Sequence, residues 1–211
     1  MIKLALSMRI TEASNYFEMR NSLAFEYIEL FEKLDFMVIL IPNNTKYVAE
    51  YIEELNVDGI VLTGGNNVNP LLYNGKDELE SVYEQRDKIE SKLVDISIKR
   101  NIPLLGICRG FHYINVHFGG AISHNVKDHV KKDHVLISKN KVLNNTSTNS
   151  YHNQAILKGD ISEEFEVIAS TEDDVIEAIS HKTYKILGIQ WHPERHDIKE
   201  DKEVIVDFFN K

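Results

Sequence analysis

Short apolar runs alternate with amphipathic stretches through the first half of the chain. Ile2 to Met8 is apolar over most of its length and predicts a buried strand. Leu23, Tyr27, Leu30 and Leu34 then recur at helical spacing, which puts them on one face of a helix. Phe36 to Ile41 predicts a second strand, closed by Pro42 and Asn43, and Val48, Ile52 and Leu55 give the next helix its apolar stripe. Gly59 to Thr63 forms a third strand that runs into Gly64–Gly65. Ile89, Leu93 and Ile96 mark another helix, and Ile102 to Ile107 another strand. Strands alternating with helices in this way indicate βαβ units. Beyond Gly119–Gly120 the pieces HVLI, FEVIAS, VIEAIS and YKILGIQ follow one another closely and predict antiparallel strands, and Glu200 to Phe209 predicts a closing helix. The expected fold is α/β, with a mostly parallel central sheet, helices on both faces and antiparallel additions. No repeat or Pro/Gly/Ser-rich linker interrupts the pattern, so residues 1–211 are expected to form a single domain.

Charge narrows the function classes. With 33 acidic against 24 basic residues the chain carries a net charge of −9, the opposite of the basic stripe that phosphate backbones demand, so no nucleic-acid partner is expected. The apolar start of MIKLALSMRITEAS ends at Arg9, too soon for a signal sequence or a membrane span. No membrane partner is therefore expected, and a cytoplasmic location is. A single cysteine, Cys108, cannot form an intramolecular disulfide, which agrees with a reducing compartment. Taken alone, such a residue is a small buried hydrophobe.

Its neighbours change that reading. Gly106-Ile107-Cys108-Arg109-Gly110 joins an apolar strand to a helical pattern, the thiol counterpart of the G-x-S-x-G turn. Such a turn forces the central residue into a crowded backbone region that flanking glycines relieve, and it sets the thiol at a helix N-terminus. A buried cysteine in a glycine-bounded turn fits the same pattern. Gly188-Ile189-Gln190-Trp191-His192-Pro193-Glu194 offers an imidazole just past a strand and a carboxylate two residues on, a base with an orienting partner, or else an ordinary surface histidine beside a turn. Thr63-Gly64-Gly65-Asn66-Asn67 exposes successive backbone N–H groups after a strand, which suits an oxyanion hole or a plain turn. No Lys-Ser/Thr follows, so a P-loop is disfavoured.

Together these segments resemble the class I glutamine amidotransferase fold, and within it the stand-alone γ-glutamyl hydrolases of the γ-glutamyl-γ-aminobutyrate hydrolase type. The resemblance runs from Arg9 to about Glu194 and rests on LTGGNNVNPLLY, RDKIE, PLLGICRGFHYINVHFGG, NSYHNQAI and LGIQWHPE. It implies a catalytic triad of Cys108, His192 and Glu194, an oxyanion hole from the N–H groups of Gly65 and Arg109, and no cofactor. It further implies that Asn149, Ser150, Tyr151, His152 and Gln154, with Gly64 and Asn66, hold the glutamyl moiety. Arg86, Asp87 and Glu90 match a stretch assigned to structure. Two departures stand near the expected pocket: the family's C-R-G-x-Q has His112 at its last position, and its H-H-Q reads His152-Asn153-Gln154. Activity is then expected to persist with a shifted substrate preference. The resemblance extends to a branch of surface-polysaccharide (capsule) modification, where the glutamyl group sits on a nucleotide diphosphoramidate such as γ-glutamyl-CDP-amidate. Arg9 or His112 would then face an anionic leaving group, unless Arg9 is simply a structural surface charge.

His124, His129 and His134 recur every five residues, a spacing that shares no helix or strand face, and no carboxylate or thiol beside them completes a ligand set. They are expected in a solvated loop, with no metal. The partner implied is a small-molecule γ-glutamyl substrate, and a homodimer remains open. Three functions compete: a stand-alone γ-glutamyl amide hydrolase working through a thioester, a glutaminase subunit delivering ammonia to a separate synthase, and a non-catalytic binding module.

Overall fold

A computed structural model describes residues 1–210 apart from Asp77, Asn125, Lys127 and Asp128. In chain order the strands and helices are β1 (Lys3–Ser7), β2 (Arg9–Glu12), β3 (Met19–Ser22), α1 (Phe25–Lys33), β4 (Met37–Ile41), α2 (Val48–Glu54), β5 (Gly59–Leu62), α3 (Glu84–Arg100), β6 (Leu104–Ile107) and α4 (Arg109–His117). There follow β7 (Ser123–His124), β8 (His134–Val135), β9 (Ile137–Ser138), β10 (Ser147–Thr148), β11 (Gln154–Leu157), β12 (Phe165–Ser170), β13 (Val175–His181), β14 (Ile186–Ile189) and α5 (Lys199–Asn210).

The main sheet runs β4-β1-β5-β6-β14-β13-β11-β7, with β12 on β13 and β9 on β12. Its first five strands are mutually parallel and the remainder pair antiparallel, which matches the expected fold class. Side-chain alternation shows why both faces must be covered. On β5, Ile60 and Leu62 join a cluster with Val48 and Ile52 of α2, Leu93 of α3 and Phe111 of α4. Val61, between them, points to the opposite cluster, with Tyr27 and Phe31 of α1 and Ile205 and Phe209 of α5.

One strand departs from expectation. YKILGIQ, read as an antiparallel addition, gives β14, which lies parallel to β6 in the register Ile189↔Ile107. The reason is topological. The β13–β14 turn reverses the chain, so the antiparallel partner of β13 runs in the direction of β6. The carboxyl ends of β5, β6 and β14 therefore share one rim, where ligands of open α/β sheets bind. HVLI is broken into β8 and β9, and the hairpin β2–β3 was not foreseen. Among the described residues no helix is long and apolar enough to cross a membrane.

Candidate active site

Cys108 stands between β6 and α4 with φ 51° and ψ −102°, in the left-handed half of backbone space that a β-carbon makes costly. Its amide donates to Ile189 O at 2.8 Å, which locks the turn to β14. The flanking glycines are required by contact. A β-carbon on Gly110 would come within 2.1 Å of Leu62 O, and one on Gly106 within 2.7 Å of the Gly110 carbonyl. Helix α4 can thus start only by lying directly on the strands, and its first N–H, that of Arg109, has no acceptor within the helix.

The rim brings the distant partners to this thiol. His192 Nδ1 and Glu194 Oε1 are 2.5 Å apart and both side chains are buried. Burial opposes charge on the His192 imidazole, but the adjacent Cys108 sulfur and the Glu194 carboxylate outweigh it and raise its pKa above the ordinary value. Burial likewise pushes the Cys108 thiol up, and the facing imidazole overcomes this and brings it below the ordinary thiol range. The two shifts share a cause, the contact between the thiol and the imidazole. Gly64 lies against both groups: a β-carbon there would sit 3.0 Å from His192 Cε1 and 3.6 Å from Cys108 Cβ.

The glycine turn is held from behind by α3. Arg86, fully buried, donates to the carbonyl oxygens of Thr63 (2.5 Å), Gly64 (3.2 Å) and Gly65, and its Nε donates to Glu90 at 2.8 Å. Glu90 also accepts from Ser7 of β1 at 2.8 Å and pairs with Arg109, whose other arm meets Asp87. With its carbonyls clamped from behind, Gly65 adopts φ +82°. Arg86, Asp87 and Glu90 are all buried in this network.

A cavity of about 190 Å³ opens over the thiol. Of the residues expected at the site, Gly65, Asn66, Cys108, Arg109, His112, Tyr151, His152, Gln154 and His192 line it, joined by Asn67, Asn153 and Arg195. Glu194 does not line the cavity and meets it through His192. Other expectations need correction. Gly64 is not on the wall, and its N–H donates to the Tyr27 hydroxyl at 2.9 Å. Asn149 is absent from the wall because its amide forms a two-pronged pair with the main chain of His192, at 2.7 and 2.9 Å. Ser150 is buried and donates to His129 O. Arg9 packs beside Gly65, where a β-carbon would meet Arg9 Cδ at 2.9 Å, and it does not line the cavity. Asn66 reaches the wall, but its amide is engaged with the backbone of Ile10 at 2.8 and 3.0 Å.

His112 lines the cavity without supplying charge. Burial pushes its pKa down to about 3, and Nε2 pairs with Gln190 Oε1 at 2.6 Å. The Gln190 amide nitrogen in turn reaches toward Cys108 Sγ at 3.8 Å. Burial thus disfavours positive charge on the residue that replaces the family glutamine. Arg195 is the cation that sequence reasoning missed: it lines the cavity, with its guanidinium 5.0 Å from the centre of the Tyr151 ring. Tyr27 was missed as well. It lies on an apolar helix stripe, and its polar tip is the one signal that a buried acceptor is needed there.

The fold is that of the class I glutamine amidotransferases. The chain belongs to the Peptidase C26 family, whose model matches residues 1–194. It is 31% identical over 209 residues to the γ-glutamyl-CDP-amidate hydrolase of Campylobacter jejuni, covering 98% of this chain and 97% of that protein. It is 26% identical over 184 residues to a glutamine-hydrolysing GMP synthase subunit of Methanocaldococcus jannaschii, covering 82% and 95% of the two chains. A solved glutamine amidotransferase from Thermotoga maritima superposes with a TM-score of 0.63 at 15% identity, covering 92% of this chain and 76% of that one, and shows the shared fold.

Proposed function

We propose that this chain hydrolyses the γ-glutamyl amide bond of a small-molecule conjugate through a thioester on Cys108, releasing L-glutamate and an amine or amidate. The observation that carries the reading is the thiol on a strained turn facing an imidazole that Glu194 orients. The Cys108 sulfur adds to the γ-carbonyl carbon, and the electron pair of the C=O bond moves to oxygen. The N–H groups of Gly65 and Arg109 donate to that oxyanion. His192 passes its proton to the departing nitrogen as the C–N bond breaks, which leaves the thioester. His192 then takes a proton from water, the hydroxide adds to the thioester carbonyl, and the C–S bond breaks to give glutamate and restore the thiolate. Glu194 keeps Nδ1 protonated, so that Nε2 carries each transfer.

The leaving group we favour is a nucleotide amidate, as in γ-glutamyl-CDP-amidate. The near-full-length similarity to a protein of that activity supports it, as does Arg195 on the cavity wall. The test is glutamate release from γ-glutamyl-CDP-amidate, γ-glutamyl-GABA and glutamine in parallel. The expected result is turnover of all or some γ-glutamyl amides, with the amidate preferred about tenfold or more, the worth of one good charged contact. Release from none of them, with Cys108 inert to a diazo-ketone glutamine analogue, overturns the proposal. Similarity to a component of GMP synthase favours a second reading, in which ammonia is delivered to a separate synthase. Glutaminase activity that appears only when a synthase is added would select it.

A further inference from the structure

Glu177 sits within β13, buried to 1% exposure, and among the described residues neither carboxylate oxygen has a hydrogen-bond partner within normal reach. A carboxylate removed from water in this way is strongly unfavourable unless a cation neutralises it. Two imidazoles face it. His152 Nε2 stands 3.5 Å and His129 Nδ1 3.9 Å from Glu177 Oε1, and among the described residues neither nitrogen has a hydrogen-bond partner outside this group. The other nitrogen of each ring is held from outside: His152 Nδ1 by the Gln154 carbonyl at 2.8 Å, and His129 Nε2 by Asp173 at 3.0 Å. Outer acceptors of this kind take the N–H and leave the lone pair on the inner nitrogen, the arrangement that orients metal-binding histidines.

The three inner atoms lie within 4.8 Å of one another. Tetrahedral zinc with bonds of about 2.0–2.1 Å sets neighbouring ligand atoms about 3.3 Å apart, so the group would have to draw in by up to about 1.5 Å. The His134 ring is centred 4.1 Å from that of His129, and its Nε2 is also buried without a partner. A cavity of about 630 Å³ lies beside the group, lined in part by His129, His134 and Asp173. The expectation of a solvated histidine loop is thereby corrected: His129 is 1% exposed, and the missing carboxylate comes from a strand 48 residues further on. His124 is no part of the group, since it pairs with Tyr73 at 2.9 Å.

We propose that His129 Nδ1, His152 Nε2 and Glu177 bind one divalent transition-metal ion of the zinc type, with His134 beside the remaining coordination position. Two imidazoles and a carboxylate, with no thiolate among them, suit such an ion better than magnesium or calcium. His152 belongs both to this group and to the wall over Cys108, so the ion would brace that wall. The inference does not depend on the substrate proposed above.

The experiment is titration of the chelator-treated full-length chain with zinc by calorimetry and with cobalt by absorption spectroscopy. One ion per chain is expected, with a cobalt spectrum lacking a thiolate charge-transfer band and unchanged in Cys108→Ala. Glu177→Gln and His129→Asn should each weaken zinc binding about 100-fold or more and abolish its effect on the melting temperature. Two substitutions on separate segments are used so that misfolding of one, seen by circular dichroism, leaves the other informative. Zinc binding equal in wild type and either folded variant overturns the proposal. So does binding that disappears in Cys108→Ala, which would place the ion at the thiol.

Discussion

The parallel and antiparallel parts of the molecule meet at the same cavity but bring different things to it. From the parallel part come Gly65, Cys108 and His192, each launched from the carboxyl end of β5, β6 or β14. From the antiparallel part and the small β8–β10 sheet beside it come Asn149, Tyr151, His152 and Gln154. In the proposed mechanism the first set supplies a strained thiol, its base and the backbone N–H groups of the oxyanion hole. The second supplies walls and a brace, seen most directly where Asn149 grips the main chain of His192. A parallel strand end followed by a helix N-terminus presents unpaired donors, whereas an antiparallel ladder consumes its own.

The contrast predicts a graded series. Cys108→Ala should lower glutamate release about 10⁴-fold, measured as kcat, with the melting temperature nearly unchanged. A comparable loss from any substitution on the antiparallel wall would end the distinction. Glu194→Gln should cost about 10²- to 10⁴-fold in kcat. It should also move the alkaline limb of the pH–rate profile to lower pH, because the carboxylate that helps raise the His192 pKa is gone. An unmoved limb would show that Glu194 does not govern the imidazole.

Asn149→Ala should reduce kcat about 10- to 100-fold and leave KM within about twofold, since it misplaces the base by a fraction of an ångström without removing a substrate contact. A raised KM with kcat intact would return Asn149 to the glutamyl pocket. Tyr27→Phe removes the acceptor of the Gly64 N–H. It should lower kcat about tenfold, in keeping with the loss of one buried hydrogen bond of roughly 1–2 kcal/mol. The check is the same assay, set beside urea unfolding to separate catalysis from stability.

Legibility follows the same division. The G-x-C-x-G turn, the Gly64–Gly65 pair and the His192–Glu194 couple could be read because each is local: its physical requirement lies within a few residues. Asn149 could be placed near the site but not given its role, because an asparagine that binds substrate and one that clamps a backbone have the same neighbours in the chain. Arg195 follows Glu194 directly and carried no distinguishing pattern. The direction of β14 could not be read from YKILGIQ, since strand polarity depends on which neighbour the strand pairs with.

What the sequence by itself determined is therefore the alternation of buried strands and amphipathic helices, and a thiol turn whose glycines permit the strained geometry. Only the tertiary structure decided that β14 lies parallel to β6, so that His192 reaches Cys108. It alone gathered His129, His152 and Glu177 around one point. The physical reason is range. Backbone strain and side-chain periodicity act within a few residues and leave a mark on the sequence, whereas a buried charge is balanced by whatever the fold carries to it.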